Sequence, residues 1–461
     1  MSSRPVIIGA GLAGLTAALR LADADLRPLV LETRKGPGGR AISFDDVRSD
    51  LVLDNCQHVL MGCCTNLIAL LEQIGVADAI EWSDTLAWMR PDGGVDVLET
   101  GRLPAPAHRM GSLLRMRLFS LREKVKLGRT MVKILRLGRS GHELWRGRTF
   151  AAFLDTCPCT EQLRQLFWDP VIISACNLAL HEVAATHAFH VIQDAFLASR
   201  EAGRIGVPSK PLSALYEPAV AKLTAAGGEL RTGASVSRIE VGERRVKAVH
   251  TRSEVIPCDD VICSVPFNRL GSMLDAPDAR VEGLRHLEHS PILGVHLLVD
   301  RVLMQREHLV TAGRQVQWVF NKGPLPEGAG QHLHAVISGA DDWMALDEAS
   351  IRHRILEDLE GVFPALRVAK IVGFRPVKER QATFRATPEA EALRPEAAPG
   401  QSDVQGLYLA GDWCRTGWPA TMEGAVISGH LAAQALLGEA AAGPKGPLAP
   451  ARLPRWLGIR R

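Results

Sequence analysis

The chain contains 461 residues, which is enough for two or three domains. Hydrophobic residues make up 46% of it and charged residues 23%, a composition typical of a folded globular protein and not of a disordered chain. The net charge of +3 gives no reason to expect a nucleic-acid partner, and no apolar run is long enough for a membrane-spanning helix. The nine cysteines are scattered without a CxxC pair, which favours free thiols in a reducing cytoplasm, and no metal site is expected.

The first forty residues predict a βαβ unit that binds a dinucleotide. Residues 5–9 form an apolar run typical of a buried parallel strand, residues 15–22 favour a helix, and a second strand over residues 28–31 ends at Glu32. An acidic residue at this position accepts hydrogen bonds from a ribose diol. The parts occur in the order that such a unit requires, so dinucleotide binding is favoured over a merely structural turn.

The turn between this strand and helix has the spacing GxGxxG. Gly9 permits the tight turn, Gly11 lets the backbone approach a pyrophosphate, and Gly14 lets the helix pack closely on the strand. The helix N-terminus, which includes Leu12 and Ala13, offers free N–H groups and a positive dipole end to the phosphates. We therefore expect these five residues to bind the cofactor.

The segment after the second strand, residues 34–40, has the sequence RKGPGGR. It resembles the GG-Arg element of the flavoprotein family that includes amine oxidases and carotenoid desaturases. The resemblance implies FAD as the cofactor, with Gly38 and Gly39 forming a tight backbone and Arg40 neutralising the FAD pyrophosphate. A basic surface turn is the alternative.

A later segment belongs to the same predicted domain. Residues 225–231 indicate a helix end, a glycine stop and a new strand, and alternating sequences over 235–241 and 246–249 precede a buried strand over 259–266. In the resembled family, the position of Val236 contacts the adenine through its backbone.

A third segment lies near the C-terminus. An apolar strand over 406–412 ends in Gly411 and Asp412, and a helix follows from near Met422 to about residue 437. An aspartate at a strand end can hold the ribityl hydroxyls of FAD, and the positive end of such a helix can stabilise the charge of reduced flavin. We expect these three named residues to bind the cofactor.

The predicted fold class is α/β, with a discontinuous Rossmann-type FAD-binding domain and an α+β substrate domain. Residues 388–406 are polar and predict a loop that returns the chain to the FAD-binding domain. The expected segments are 1–105, 203–269 and 400–440 for the FAD-binding domain, 106–202 and 270–399 for the substrate and membrane-facing domain, and 441–461 for a basic, proline-rich tail.

Two further motifs indicate which group within this flavoprotein family the chain resembles. Residues 53–62, LDNCQHVLMG, precede a predicted helix over 66–74, while LAGDW and PATMEGA stand near the C-terminus. Together they resemble the hydroxysqualene dehydroxylases, also called squalene-associated FAD-dependent desaturases, over nearly the whole chain. The resemblance implies that Gln57 binds the cofactor. One departure is Cys56, where that family usually has glycine.

The resemblance implies that reduced FAD removes the allylic hydroxyl of hydroxysqualene, giving squalene and water. Protonation lets the hydroxyl leave as water and the resulting cation accepts hydride from flavin N5, so the protein must supply a proton donor and an apolar cavity without bulk water. The candidate donors are His58, Asp54 and Glu423. Each has a structural alternative, which is packing for His58, loop anchoring for Asp54 and capping of a helix N-terminus for Glu423.

A basic segment predicts a membrane contact. Residues 109–148 carry twelve Lys or Arg and two acids, and the run over 113–122 interleaves large apolar residues with arginines. A helix of this type can dock on an anionic membrane surface, and the alternative is a solvated basic helix that covers the substrate domain. The tail, with Trp456, is a second candidate contact. We expect a cytoplasmic protein that such docking makes peripheral on the membrane, and other squalene-pathway enzymes are further candidate partners.

Three other functions stay open. A carotenoid desaturase or isomerase would use the same fold and similar lipids, with hydride moving to the flavin. An amine oxidase is less favoured because that branch tends to place paired aromatics over the flavin and this chain has only two tyrosines, Tyr216 and Tyr408, although Trp413 and Trp418 keep it open. A non-catalytic FAD-bound scaffold of a lipid-synthesis complex is the alternative from another class.

Overall fold

The structure, a computed structural model, describes residues 4–326, 328, 330–438 and 441–457. Its first sheet has five parallel strands from three distant parts of the chain. In spatial order they are β10 (Glu229–Arg231), β2 (Leu29–Leu31), β1 (Val6–Ile8), β14 (Val261–Cys263) and β20 (Leu407–Leu409). β1, β2 and β14 are buried along their whole length, as their apolar sequences predict for strands covered on both faces. This sheet confirms the predicted α/β fold class.

Two helices pack against each other beside this sheet, α1 (Leu12–Ala22) and α14 (Met422–Leu437). A Cβ atom at Gly429 would lie 2.3 Å from the carbonyl oxygen of Ala13, so the glycine lets the two backbones touch. Leu12 and Met422, the first residues of the two helices, line one small apolar cavity. Both helix N-termini therefore lie on the same side of the domain.

The second large sheet has seven strands. In spatial order they are β19 (Ile371–Phe384), β15 (His289–Val299), β18 (Gln331–Ser338), β17 (Trp318–Pro324), β16 (His308–Val310), β7 (Thr85–Met89) and β8 (Val95–Glu99). One face of β15, with Leu293, Val295 and Leu297, belongs to the same apolar core as helix α12 (Glu348–Glu360). The alternating residues between them, including His296, lie on the opposite face, which meets the FAD-binding domain.

The hairpin β7–β8 corrects one predicted boundary. Its residues fall inside segment 1–105, which we assigned to the FAD-binding domain, but β7 pairs with β16 of the seven-stranded sheet. The apolar alternation of residues 85–99 gives no information about which sheet the hairpin joins, because strand partners are chosen by long-range packing. The other predicted domain boundaries stay predictions.

The remaining strands form three small sheets. These are β3 (Ser43–Asp46) with β4 (Leu51–Asp54); β5 (Leu60–Met61), β9 (Ile205–Pro208) and β6 (Ile80–Ser83); and β11 (Val236–Gly242), β12 (Arg245–Thr251) and β13 (Val255–Pro257).

Twelve further α-helices lie in the described residues. They are α2 (Thr65–Gln73), α3 (Met110–Arg115), α4 (Leu121–Leu137), α5 (Phe150–Asp155), α6 (Glu161–Leu163), α7 (Asp169–Cys176), α8 (Ala185–Val191), α9 (Glu217–Ala225), α10 (Phe267–Leu270), α11 (Ala279–Glu282), α13 (Pro388–Leu393) and α15 (Arg452–Leu457). Two π-helical turns, Arg164–Trp168 and Ile192–Leu197, lie next to α7 and α8. The 3₁₀ turns of the described residues are Ala77–Ala79, Ser140–Trp145, Glu201–Gly203, Leu212–Leu215, Gly283–His286, Asp341–Trp343 and Pro364–Val368.

Two local predictions are wrong. The run over 113–122 is not one helix, because Ser120 and Glu123 form a capping box that starts α4 and Leu118 turns inward to donate its N–H to Asp96. Residues 388–406 are not entirely a loop, because Thr387 caps α13, whose first residue is a proline.

None of the helices in the described residues is both long enough and apolar enough to cross a bilayer. Residues 458–461 of the predicted tail, together with residues 1–3, 327, 329, 439 and 440, lie outside the described residues.

Candidate active site

The glycine-rich turn forms a bare backbone cradle at the start of α1. Gly11 is the N-cap residue of this helix, and none of the described side chains caps its first turn. A Cβ atom at Gly39 would lie only 3.1 Å from the Cα atom of Gly11, so the two glycines face each other at close range. The first N–H groups of an α-helix have no partner within the helix, and an anion is their natural acceptor. The turn therefore fits a pyrophosphate.

Glu32 follows β2 at the edge of this cradle and is buried. Its Oε2 atom accepts a hydrogen bond from the N–H of Ala10 at 2.8 Å, and its Oε1 atom accepts one from the N–H of Arg34 at 2.8 Å. A carboxylate oxygen has a second lone pair, so Glu32 can order the turn and still accept a ribose hydroxyl. The N–H of Ala234 donates to the carbonyl oxygen of Glu32 at 2.9 Å, which holds the start of β11, with Val236, beside it.

Arg40 and Asp412 are joined directly. A guanidinium nitrogen of Arg40 donates to Oδ1 of the buried Asp412, and the other donates to the carbonyl oxygen of Ala382 at 2.9 Å. Gly411 has φ near 144°, and its N–H donates to Oγ of Ser428 in α14 at 2.7 Å. The structure thus brings residues 40, 411 and 412 together, although the sequence separates them by more than 370 positions. Their contact with FAD stays a prediction.

The 53–62 run lies against the polar face of the seven-stranded sheet. Asp54 accepts hydrogen bonds from Oγ of Ser43 at 2.8 Å and from the N–H of Leu212 at 3.1 Å. Its Oδ2 atom lies 3.4 Å from Nζ of Lys322 in β17, and Oε1 of Gln57 lies 3.4 Å from the same ammonium group. Asp54 therefore anchors its loop and pairs with a cation.

His58 is half-buried in the same run. Its Nδ1 atom lies 3.1 Å from the carbonyl oxygen of Cys56, so the geometry assigns the proton to Nδ1 and leaves Nε2 as an acceptor. Nε2 has no hydrogen-bond partner within the described part of the chain. Burial is the main cause that lowers the pKa of His58, which keeps the ring neutral near pH 7.

Glu423, the third predicted proton donor, is buried in the first turn of α14. Its carboxylate accepts hydrogen bonds from the N–H and Nδ2 of Asn66, at 3.0 and 2.8 Å, and from the N–H of Leu67 at 2.7 Å. Burial raises the pKa of Glu423 above its ordinary value. Because these bonds close the first turn of α2, the geometry favours a capping role over proton donation, and the helix that is capped is not the one that contains Glu423.

Four polar residues of the seven-stranded sheet face the 53–62 run and form what we call the histidine layer. Our sequence analysis missed them. They are His296, Lys322, His332 and His334. His296 lies with Nε2 2.9 Å from the carbonyl oxygen of Asp54 and with Nδ1 2.9 Å from Nε2 of His332. The ring of His296 also stacks on that of His334, with centroids 4.0 Å apart. The alternation of histidines with apolar residues over 331–338 was the available signal, but it does not tell which strand lies opposite.

An apolar lining lies beside these polar groups. Cys56, Phe320 and Val336 form a buried cluster that bridges the two domains. The partly buried residues that pack against it are Val59, Val207, Ile292 and Trp318. Burial raises the pKa of the Cys56 thiol to about 12, so this side chain is a small neutral group. The site can therefore contact hydrocarbon next to a few fixed hydrogen-bonding groups.

Comparison with known sequences identifies the family. The sequence profile described as flavin containing amine oxidoreductase matches residues 12–437. The chain belongs to this family. As a flavin-containing oxidoreductase it uses FAD, and the glycine cradle, the buried Glu32 and the pair of Arg40 and Asp412 fit that cofactor.

Several relatives of this flavoprotein resemble it over nearly its whole length. It is 30% identical to hydroxysqualene dehydroxylase from Rhodopseudomonas palustris, over 95% of this chain and 99% of the relative. It is 25% identical to 15-cis-phytoene desaturase from Arabidopsis thaliana, over 95% of this chain and 81% of the relative. The solved structure of cyclohexylamine oxidase from Brevibacterium oxydans has a TM-score of 0.69 and 17% identity, over 96% of this chain and all of that one, which supports the fold.

Proposed function

We propose that this flavoprotein removes the allylic hydroxyl group of hydroxysqualene and forms squalene and water. The observation that carries the proposal is its similarity to a hydroxysqualene dehydroxylase over 99% of that protein. In the overall reaction a C–O bond breaks, the hydroxyl takes up a proton and leaves as water, and a C–H bond forms with a hydride. Bound reduced FAD supplies the hydride. The chain itself must bind FAD and hydroxysqualene, exclude water and deliver the proton.

We assign the predicted cofactor-binding residues to three parts of FAD: the pyrophosphate, the adenosine and the flavin with its ribityl chain. The N–H groups at the start of α1, which none of the described side chains caps, suit the pyrophosphate. The buried carboxylate of Glu32 suits a ribose, and the N-terminus of α14 suits the flavin. The residues are Gly9, Gly11, Leu12, Ala13, Gly14, Gly39 and Arg40 for the pyrophosphate; Glu32 and Val236 for the adenosine; and Gln57, Gly411, Asp412 and Met422 for the ribityl chain and flavin.

For the proton we favour His58 among the three predicted donors. Asp54 is occupied by Ser43, Leu212 and Lys322, and Glu423 is occupied by the first turn of α2. The Nε2 atom of His58 is free for a substrate group among the described residues. Burial lowers the pKa of His58, so its protonated form is a stronger acid than an exposed imidazolium.

The basic segment supports docking on an anionic membrane, the source of an isoprenoid substrate. The solvent face of α4 carries a stripe that alternates basic and apolar residues, Arg122, Val125, Arg129, Val132 and Arg136. Helix α15 packs beside α4 and exposes 78% of Trp456. Basic and aromatic side chains on one surface are suited to phospholipid headgroups and to the membrane interface. Such docking would put the protein at the cytoplasmic face of the membrane, where other squalene-pathway enzymes are candidate neighbours.

The deciding experiment is anaerobic turnover with the chemically reduced holoenzyme. Hydroxysqualene should yield squalene, and the flavin should become oxidised in equal amount. A second arm mixes the oxidised holoenzyme with phytoene, because the phytoene desaturases are also relatives over nearly the whole chain. Desaturated phytoene without formation of squalene would favour carotenoid desaturation instead. Turnover of neither lipid, with flavin that no donor reduces, would favour an FAD-bound scaffold.

A further inference from the structure

His334 is a fully buried histidine of β18 whose two ring nitrogens have no hydrogen-bond partner among the described residues. A neutral imidazole carries one donor and one acceptor, and leaving both unpaired inside a protein costs free energy. Buried polar groups in folded proteins are nearly always paired. An unpaired one in a candidate active site therefore indicates a ligand.

The strand register directs His334 to the interface between the two domains. It lies opposite His296 of β15 and Phe320 of β17, so all three share one face of the sheet. A Cβ atom at Gly294 would lie 2.8 Å from Nε2 of His334, so the missing side chain at Gly294 makes room for the imidazole ring itself.

The neighbouring polar groups are already engaged. Both nitrogens of His296 have partners, the carbonyl oxygen of Asp54 and the ring of His332. The ammonium group of Lys322 lies between Asp54 and Gln57. Among the described residues of this layer, His334 is the histidine with both ring nitrogens unpartnered, and it stands beside the apolar cluster of Cys56, Phe320 and Val336.

Burial is the main cause that holds the pKa of His334 well below its ordinary value, so the ring is neutral and offers one donor and one acceptor. A hydroxyl group also has a donor and acceptor lone pairs, whereas a carboxylate only accepts and an ammonium only donates. The chemistry that matches a neutral imidazole next to an apolar lining is a long hydrocarbon with one hydroxyl group.

We infer that His334 binds the hydroxyl group of an isoprenoid alcohol and thereby selects the alcohol over the corresponding hydrocarbon. This inference rests on the proposed function, because it assigns a recognition residue to that substrate. His334 is a positioning and specificity residue here, while delivery of the proton is assigned to His58.

Binding to the oxidised holoenzyme tests this without turnover. Hydroxysqualene and squalene, each in detergent micelles, are titrated against the flavin absorbance of the wild type and of His334→Phe. We expect the variant to bind hydroxysqualene about tenfold more weakly and squalene as the wild type does, with His334→Gln in between. His108→Phe is the matched control, because His108 is also buried with two unpartnered nitrogens but belongs to the segment before α3. It should change neither affinity.

Equal losses for the alcohol and the hydrocarbon, or no loss for either, would overturn the inference. If His334→Phe does not retain FAD, the test uses the wild-type affinities for hydroxysqualene and squalene. Equal affinities for the two lipids would contradict selection of the hydroxyl group. If the wild type prefers the alcohol through His334 but forms no squalene when reduced, the proposed reaction fails and the binding inference stands.

Discussion

The carboxylate of Glu423 in α14 caps helix α2, with Oε1 2.8 Å from Nδ2 of Asn66. The same carboxylate accepts the N–H of Leu67, so it closes the first turn of a helix that starts 358 residues earlier in the chain. This contact ties the helix that follows the 53–62 run to the helix expected at the flavin. A residue at the N-terminus of α14 can therefore matter for activity without touching a substrate.

Glu423→Gln should lower the free energy of unfolding by about 1–3 kcal/mol, because an amide nitrogen would face a backbone N–H and leave a buried donor unpaired. Urea unfolding of the holoprotein measures this, and Glu389→Gln, an exposed acid in the first turn of α13, should change little. Turnover of the folded variant should stay close to that of the wild type. An unchanged stability with a loss of turnover greater than about a hundredfold would instead make Glu423 the proton donor.

The ion pair of Arg40 and Asp412 predicts coupled effects on FAD binding. Arg40→Ala would leave the buried carboxylate of Asp412 without its cation, and Asp412→Ala would release the guanidinium of Arg40. Each should weaken FAD retention by about 1–3 kcal/mol, and the double variant should lose less than the sum. Equilibrium titration of the apoprotein with FAD provides the four affinities. Arg48→Ala removes an exposed pair with Glu348 and should have no effect, while strictly additive losses at 40 and 412 would contradict the coupling.

Elements that depend on local patterns could be predicted from the sequence. Helix α14 extends from Met422 to Leu437 as predicted, and the glycine turn lies between β1 and α1 because its spacing is dictated by one strand, one tight turn and one helix. The pairing of Arg40 with Asp412 was not predictable in its detail, since the motifs indicated only that both approach the same cofactor.

Features that depend on contacts between distant strands could not be predicted. The histidine layer exists because His296 and His334 become cross-strand neighbours, and neither residue carries a local signature of a site. The same limit explains the hairpin at residues 85–99, whose alternation defines two strands but not the sheet they join. Side-chain alternation has a period of two in every sheet, so it fixes a face and leaves the partner open.

Proton delivery by His58 predicts that turnover rises as the pH falls. Its pKa is lowered by burial below the ordinary value of 6.5, so only a minor fraction is protonated near pH 7. Above that pKa the protonated fraction grows about tenfold for each unit by which the pH decreases, and kcat/KM for hydroxysqualene should follow between pH 8 and 7. His58→Gln should be slow and independent of pH over this range. His353→Gln, at an exposed position of α12, should keep the wild-type slope. Retention of that slope by His58→Gln would exclude it as the donor.

The basic stripe on α4 predicts binding to anionic vesicles that weakens with salt. Arg129 and Arg136 are exposed on the same face as Val125 and Val132, so the surface combines charge with a shallow apolar contact. The double variant Arg129→Glu/Arg136→Glu should lower the binding free energy by at least about 2 kcal/mol, since each basic residue near such a surface contributes about 1 kcal/mol. Vesicle sedimentation at low and high ionic strength measures this, with Arg367→Glu as the control because that side chain is exposed by 68% in another region. Trp456→Ala should weaken binding without changing its salt dependence, because the indole contributes apolar contact and no charge. Equal binding of the wild type and these variants to anionic vesicles at low salt would make α4 a solvated cover of the neighbouring helices.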